Sequence, residues 1–270
     1  MHLEVLPTRT AGAAENMAVD FLLLQRYPEE HAAAPRFRHY GWRGPAFTFG
    51  YSQKIAFVRE QLAPVLADSA TRVDLCRRPT GGGIVDHRED WTYALVIPRG
   101  HPLEELRASE SYRTIHEAVA EALRAQDVPA LVKPCDEACD PETTAVEGAE
   151  VGTEASTGAG AEKSTIAGIC FTKAETFDVV HAETGAKIAG AAQKRNKHGL
   201  LFQGSIWKPS ANVSAGAAAV DWDLFEEALV EQLAAALGVE AQHTPWPEFA
   251  EDEVEGLSER YASVEWNEYR

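Results

Sequence analysis

Two arginines stand before a run of three glycines in the segment RRPTGGGIVDH, residues 77–87. Consecutive glycines let a backbone approach a ligand closely, and their amide groups can face a phosphate or a carbonyl oxygen. The segment is not a P-loop, because no Gly-Lys-Ser/Thr follows and the next residues are typical of a strand. A bare glycine triplet would indicate only a flexible hairpin turn. The arginines and His87 favour a ligand-binding loop.

A lysine stands among small and apolar residues in a second segment, AKIAGAAQKR, residues 186–195. On such a strand Lys187 could be partly desolvated and could polarise a carbonyl or neutralise a phosphoryl oxygen. Taken alone, the better interpretation is a lysine at the mouth of a hairpin with its ammonium group in water. The small residues indicate that something lies flat against the strand. The basic run 194–198 predicts a solvated turn, or a contact with an acidic protein.

A cysteine in the strand-like context GICF, Cys170, is a third candidate. A thiol needs a base or a positive field to become a useful nucleophile, and Lys187 or one of the arginines before the glycine run could supply that field only if the fold brings them together. Most cysteines in strands are inert core residues, so the residue type alone favours that interpretation. Cys135 and Cys139 form a CxxxC pattern without a histidine, and the histidines lack metal-binding spacings. We therefore predict no metal site.

Hydrophobic periodicity predicts the elements that position these segments. Predicted helices are 15–27, 59–68, 111–126 and 221–238, with a short one near 251–262. Predicted strands are 36–42, 46–51, 73–78, 90–98, 165–171, 177–182, 186–193 and 199–207. Strands in clusters and hairpins, with helices interspersed, predict an α+β fold in a single domain over 1–270 rather than alternating βαβ units.

One segment, residues 135–164, has no aromatic residue and consists mainly of Glu, Ala, Gly, Thr and Ser. Such a stretch cannot bury enough apolar surface to offset its ordering entropy. Because strand-like sequence resumes directly afterwards, we interpret it as a disordered acidic surface insertion rather than a domain linker.

The composition is that of a soluble globular protein, with 45% apolar and 25% charged residues in 270. This balance excludes collagenous, wholly disordered and disulfide-scaffold chains. The net charge is -17, of which residues 135–164 contribute -7 and residues 221–270 contribute -12. The remainder is nearly neutral, so no basic face is expected and nucleic acid is not a predicted partner. We interpret the acidity as a contribution to solubility.

The first ten residues, MHLEVLPTRT, lack the apolar core of a secretory signal. No run approaches the roughly 18 apolar residues that a membrane span needs. Together with four cysteines that we expect as free thiols, these features predict a cytoplasmic protein without membrane contact.

Taken together, the segments resemble the lipoate–protein ligase and octanoyltransferase family, relatives of the biotin–protein ligases. The resemblance rests on RRPTGGGIVDH with DWTYAL (90–95), SYRTIHEAV (111–119), FDVV (177–180), AKIAGAAQKR and GSIW (204–207). ENMAVDFLLL (15–24) and RFRHYGWRGPAFTFGY (36–51) are similar to the opening helix and strands of the family. The resemblance covers roughly residues 10–240 and implies an α+β catalytic domain with mixed, mainly antiparallel sheets and flanking helices.

Two chemistries occur within that family. The ligases activate the free acid with ATP and Mg²⁺ as an acyl-adenylate, whereas the cysteine-dependent octanoyltransferases pass the acyl group through a thiol without a cofactor. The resemblance is closest to the transferases, because Cys170-Phe171 stands just before the lysine strand, where one transferase branch carries its nucleophile. The chain has no Asn-Asp pair, which the ligases usually carry there, and no cysteine after Cys170.

The resemblance implies that Cys170 takes an octanoyl group from acyl carrier protein while Lys187 orients the carbonyl. The acceptor is then the lysine of a lipoyl domain or a glycine-cleavage H-type carrier protein. The implied substrate-binding residues are Arg78, Thr80, Gly81, Gly82, Gly83, His87, Ala189, Gly190 and Ala192. Arg78 and the Lys194–Lys197 turn are candidates for meeting acidic carrier domains. The alternatives are an ATP-dependent ligase acting through lipoyl-AMP, and a catalytically weak carrier-domain binder.

Overall fold

The computed structural model describes residues 1–27, 33–67, 72–135, 173–213, 218–250 and 252–269. The predicted insertion, apart from Cys135, and the predicted strand 165–171 lie outside these ranges. The strands are β1 (His2–Ala11), β2 (Arg36–Trp42), β3 (Ala46–Phe49), β4 (Asp74–Arg77), β5 (Ile84–Asp86), β6 (Asp90–Pro98), β7 (Ala130–Val132), β8 (Val179–His181), β9 (Lys187–Asn196), β10 (Gly199–Trp207) and β11 (Glu240–His243). The helices are α1 (Ala13–Gln25), α2 (Ile55–Gln61), α3 (Ala63–Leu66), α4 (Pro102–Glu105), α5 (Ala108–Arg124), α6 (Lys208–Ala211), α7 (Trp222–Leu237), α8 (Glu253–Ala262) and α9 (Val264–Asn267).

An eight-stranded sheet in the order β11-β1-β2-β6-β10-β9-β8-β7 forms the centre of the fold. Strand β1 pairs in parallel with β2 and β11, and the other neighbours in this sheet pair antiparallel. A second sheet, β4-β3-β5, carries the glycine run in the connection between β4 and β5. The predicted α+β fold with mainly antiparallel sheets is confirmed.

Both faces of the large sheet are covered, which explains its long apolar strands. Leu95 and Ile97 of β6 lie in the main core cluster together with residues of α5 and α7. The alternating residues Ala94 and Val96 point to the other face and pack in a cluster with α1. The central strands β6 and β10 are therefore buried along their whole length and have the predicted bounds.

Proline explains two of the differences between the predicted and the observed elements. The sequence pattern does not predict strand β1, because Pro7 interrupts the pattern. The pairing of β1 with β2 shifts register between Leu6 and Arg9, and this irregularity accommodates Pro7, which has no backbone N–H. The predicted helix 59–68 begins earlier and is divided into α2 and α3, with Pro64 in the first turn of α3. None of the helices in the described ranges is long and apolar enough to cross a membrane.

Candidate active site

A cavity of about 410 Å³ lies where the glycine loop, residues 79–83, faces strands β9 and β10. The two segments meet directly, since a Cβ built on Gly82 would lie 3.9 Å from Cβ of Ala192. The cavity brings together seven of the predicted site residues: Arg78, Gly82, Gly83, His87, Lys187, Gly190 and Ala192. Further lining residues are Met17, Tyr40, Thr48, Ile84, Val85, Thr92, Tyr112, Asp178, Ala191, Gln203 and Ser205.

The glycine loop is held by its carbonyl groups. The Arg78 guanidinium donates to the carbonyl oxygens of Gly81 and Gly83 at 2.8 and 3.0 Å, and the Tyr51 amide donates to that of Thr80 at 2.8 Å. Gly82 has φ of +89°, a conformation that favours glycine. Within the described part of the chain, the amides of the three glycines have no hydrogen-bond partner. They remain available for a carbonyl oxygen or an anionic group.

Thr80 anchors this loop to the sheet. Its hydroxyl donates to Oε1 of Gln203 at 2.7 Å, and Nε2 of Gln203 donates to Asp20 at 2.6 Å. Asp20 also forms a buried ion pair with Arg38 at 2.6 Å. Burial raises the pKa of Asp20, and the charge of Arg38 opposes that shift. Thr80 is 1% exposed and does not line the cavity, which corrects its expected place on the wall.

Gly81 and Ala189 also do not line the cavity. The Gly81 carbonyl is turned onto Arg78, and Ala189 is 1% exposed within the main core cluster. Ala189 packs into the core, whereas the next three residues of β9, Gly190, Ala191 and Ala192, line the cavity. Substrate contact by Gly81 and Ala189 therefore stays a prediction.

Lys187 is held at the cavity wall by an ion pair. Its Nζ lies 2.7 Å from Oδ2 of Asp178, and the lysine side chain is only 11% exposed. Gly190 makes room for it, because a Cβ there would lie 2.8 Å from Nζ of Lys187. The lysine is therefore partly desolvated, in contrast to the solvent-facing interpretation that its residue type alone favoured.

His87 forms a fixed part of the cavity wall. Its Nε2 lies 2.7 Å from the Thr48 hydroxyl, and its Nδ1 lies 2.7 Å from Oδ2 of Asp90. Trp42 stacks on the imidazole at a centroid distance of 4.0 Å. Arg78 donates to the same Thr48 hydroxyl at 2.8 Å. Both ring nitrogens are thus engaged, and the histidine is joined to the arginine that shapes the glycine loop.

Two of the expected carrier contacts are directed inward. Arg78 is 4% exposed, so it cannot present its charge to a protein partner. Nζ of Lys194 donates to the Pro79 carbonyl at 3.1 Å and supports the glycine loop. The predicted Lys194–Lys197 turn is shorter than expected, because residues 194–196 belong to β9. Arg195 and Lys197 are exposed, and Arg195 lies 3.4 Å from Glu104. The expectation that Arg78 meets an acidic carrier domain is therefore wrong, and Lys194 instead holds the glycine loop in place.

Cys170 lies outside the described residues. Cys76 is a free, buried cysteine, and burial raises the pKa of its thiol, which keeps it unreactive. Cys135 is disulfide-bonded, which corrects the expectation of a free thiol at that position. Among the residues that the structure describes, no group of three or more His, Cys, Asp or Glu could hold a metal ion.

Two groups of buried polar residues at the site have an unusual sequence context from which the sequence analysis did not predict a role. Tyr112 donates to Oδ1 of Asp178 at 2.7 Å and lines the cavity. Tyr112 and His116 are spaced i, i+4 on the face of α5 that packs on the sheet, an unusual place for two polar rings. Asp20 stands similarly as one carboxylate in the apolar stretch MAVDFLLL. Buried polar groups need partners, and this requirement could have drawn attention to both sites.

The family model described as "Lipoyl protein ligase A/B catalytic domain" matches residues 12–208, and the chain belongs to this family. The chain is similar to an octanoyltransferase LipM of Geobacillus kaustophilus, with 31% identity over 193 residues, 72% of this chain and 60% of the relative. It thus spans less than two thirds of that relative's length. An octanoyltransferase LipM of Kyrpidia tusciae is 28% identical, with 97% of each chain covered.

Solved structures show the same fold. A bi-partite lipoate protein ligase, described with its E2 lipoyl domain from Thermoplasma acidophilum, matches with a TM-score of 0.65 and 18% identity. The match covers 99% of this chain and 96% of that chain. At this identity the likeness concerns the fold alone, and it confirms the expected lipoate-ligase-like catalytic fold.

Proposed function

We propose that this chain transfers an octanoyl group from acyl carrier protein to the lysine of a lipoyl domain or a glycine-cleavage H-type protein. The observation that carries the proposal is the position of Lys187, partly desolvated at the wall of a cavity of about 410 Å³. That volume lies within the roughly 300–1,000 Å³ typical of small-molecule sites. The relatives named octanoyltransferase LipM support this choice of acyl group.

The proposed reaction has two steps and passes through a thioester on Cys170. The Cys170 thiolate attacks the carbonyl carbon of the octanoyl thioester, the bond from that carbon to the sulfur of acyl carrier protein breaks, and acyl carrier protein leaves as its thiolate while the enzyme thioester forms. The neutral amine of the acceptor lysine then attacks this thioester. An amide bond forms, the bond to the Cys170 sulfur breaks with release of its thiolate, and the proton lost by the amine passes to solvent. The place of Cys170 beside Lys187 is part of the proposal.

Lys187 and the glycine loop act on the acyl carbonyl in both steps. An ammonium group has three N–H donors, so it can bind Asp178 and an acyl oxygen together. Donation to the oxygen stabilises the negative charge that develops in the tetrahedral transition state. The acyl chain lies along Gly190–Ala192, opposite the loop and His87. Arg195 and Lys197 are the exposed cations proposed to meet an acidic carrier domain.

The donor thioester supplies the free energy of transfer, so the proposed reaction needs neither ATP nor Mg²⁺. The test is the intact-protein mass after mixing the chain with octanoyl-acyl carrier protein in the absence of ATP. We expect an octanoyl adduct on the wild type that hydroxylamine removes and that Cys170→Ala does not form. Cys76→Ala is the matched control, since Cys76 is buried and its Sγ contacts the Tyr261 carbonyl, and it should still form the adduct.

Two other outcomes would reassign the protein. Modification of a lipoyl domain only when ATP, Mg²⁺ and free acid are supplied would identify an ATP-dependent ligase, with Cys170 a structural residue. Binding of a carrier domain without acyl transfer under either condition would identify a catalytically weak carrier-domain binder. Both outcomes contradict the cysteine transferase.

A further inference from the structure

We propose that Tyr112 and His116, one turn apart on α5, are positioning residues that hold the Lys187 ammonium group at the acyl carbonyl through Asp178. The inference deepens the proposed function, because it depends on Lys187 acting there. Neither aromatic residue needs to touch the substrate for this role. Each instead constrains a different part of the turn that presents Asp178 to the lysine.

Tyr112 joins helix α5, the Asp178 carboxylate and strand β9 through one hydroxyl group. The hydroxyl accepts a hydrogen bond from the Ala191 amide at 3.1 Å. An amide can only donate, so the Tyr112 proton is directed to Oδ1 of Asp178, at 2.7 Å. Burial and the neighbouring Asp178 raise the pKa of Tyr112, so the hydroxyl stays protonated. Tyr112 therefore fixes one oxygen of the carboxylate relative to the strand that carries Lys187.

The second carboxylate oxygen is fixed from two other directions. Oδ2 of Asp178 lies 2.7 Å from Nζ of Lys187 and accepts the Glu175 amide at 2.7 Å. Asp178 is 1% exposed, so water does not compete strongly for these sites. Among the described residues the carboxylate thus has three donors, one each from α5, β9 and the turn before β8. Its orientation determines where the ammonium group lies.

His116 fixes the backbone just before Asp178. Phe177 has φ of +68°, a left-handed conformation that non-glycine residues adopt only under constraint. The Phe177 carbonyl lies 2.6 Å from Nδ1 of His116, and the Phe177 amide donates to the Lys133 carbonyl at 2.9 Å. A carbonyl can only accept, so Nδ1 carries the proton. This bond holds the turn that aims Asp178 at Lys187.

The two aromatic residues also support each other. Their ring centroids lie 4.1 Å apart at an interplanar angle of 75°, an edge-to-face arrangement. His116 is fully buried, and within the described ranges its Nε2 has no hydrogen-bond partner. Burying Nε2 without a hydrogen-bond partner costs free energy, and an apolar side chain of similar size would avoid that cost. The hydrogen bond that the ring donates to the Phe177 carbonyl offsets this cost.

The experiment compares four variants of the full chain. Tyr112→Phe removes the hydroxyl group and His116→Leu removes the Nδ1 donor, while His116→Asn keeps an amide donor where Nδ1 stands. Tyr27→Phe is the matched control, because Tyr27 donates to the Ala34 carbonyl at 3.0 Å and does not line the cavity. The melting temperature of each variant separates folding from positioning.

The first readout is single-turnover octanoyl transfer. We expect Tyr112→Phe, which removes a hydrogen bond to the Asp178 carboxylate, to lower the transfer rate constant by about 10- to 100-fold. His116→Leu removes a hydrogen bond to a neutral carbonyl and should lower it by about 3- to 10-fold, and neither variant should change KM for octanoyl-acyl carrier protein much. His116→Asn should recover most of the rate, and Tyr27→Phe should match the wild type. Equal rates in all variants would overturn the inference, and so would failure of His116→Asn to exceed His116→Leu.

The second readout does not depend on activity. The rate of acetic anhydride labelling of Lys187, followed by peptide mass analysis, reports how firmly its ammonium group is held. Labelling should be several-fold faster in Tyr112→Phe and His116→Leu than in the wild type, Tyr27→Phe or His116→Asn. If the wild type transfers no acyl group, the proposed function fails while labelling still decides the positioning role. Unchanged labelling in Tyr112→Phe would contradict that role.

Discussion

Nζ of Lys187 and Oδ2 of Asp178 lie 2.7 Å apart at the wall of the cavity, and they join strand β9 to the turn before β8. The residues are nine positions apart in the chain but are presented from different elements. The carboxylate fixes the position of the ammonium group in a largely buried site, where a cation interacts strongly with developing negative charge. This pair is the basis of the first two predictions.

Replacing Lys187 by Met should abolish most of the transfer activity. The substitution keeps the length of the side chain but removes the charge that stabilises the acyl oxygen, for which losses of about 100- to 1,000-fold in kcat are typical. The measurement is the initial rate of octanoyl transfer to a lipoyl domain. Lys208→Met, the same change at the start of α6, should transfer normally. A Lys187→Met rate within a few-fold of the wild type would refute the assigned role.

Gly190→Ala should lower kcat by displacing the lysine. A Cβ at this position would lie 2.8 Å from both Cε and Nζ of Lys187 and 3.1 Å from Oδ1 of Asp178. The flexible lysine can move away, but the movement breaks its ion pair, so we expect about a 10-fold or greater loss. Gly44→Ala is the control, because a Cβ there meets nothing within 4 Å. Crystallography of Gly190→Ala should show the lysine moved from Asp178, and an unmoved lysine would contradict this explanation.

Gly50→Ala should displace the glycine loop, because Gly50 packs directly against its backbone. The added Cβ would lie 2.0 Å from the Gly82 carbonyl oxygen. The other atoms nearest to it are also backbone atoms of Gly81 and Gly82, so no flexible side chain can move aside. The loop must shift, which raises KM for the octanoyl donor and lowers the melting temperature. Steady-state kinetics and a thermal melt test this, again against Gly44→Ala. A KM equal to that of the wild type would show that the loop does not contact the donor.

His116 should make stability fall at acidic pH. Burial lowers its pKa to about 4, whereas an unfolded histidine titrates near 6.5. Between these values the unfolded chain binds a proton that the folded chain excludes, so stability is retained above pH 6.5 and lost as pH falls towards 4. The loss attributable to this residue is about 3 kcal/mol.

Urea unfolding at several pH values, compared with His116→Asn, isolates this contribution. Other titrating groups are common to the two proteins and cancel in the difference. The wild type should lose more stability than the variant on acidification over this interval. Parallel curves would show that His116 is protonated equally in the folded and unfolded chains.

Several elements could be predicted from local pattern. The strands β2, β6 and β10 have the predicted bounds, because each is a long apolar or aromatic run between turn residues. Strand β1 could not, since Pro7 breaks its pattern and the pairing that stabilises it comes from β2 and β11. The short edge strand β11 is exposed along its length and carries no apolar signal.

The residue types and their spacing determined the two segments that form the cavity, the α+β class and the family. They did so because glycines before a strand and a lysine among small residues are locally unusual. Only the tertiary structure decided that Lys187 pairs with Asp178 and that Arg78 turns inward to the loop carbonyls. These outcomes depend on which side chains, distant along the chain, meet when the sheets pack, and a buried charge takes whichever partner that packing brings to it.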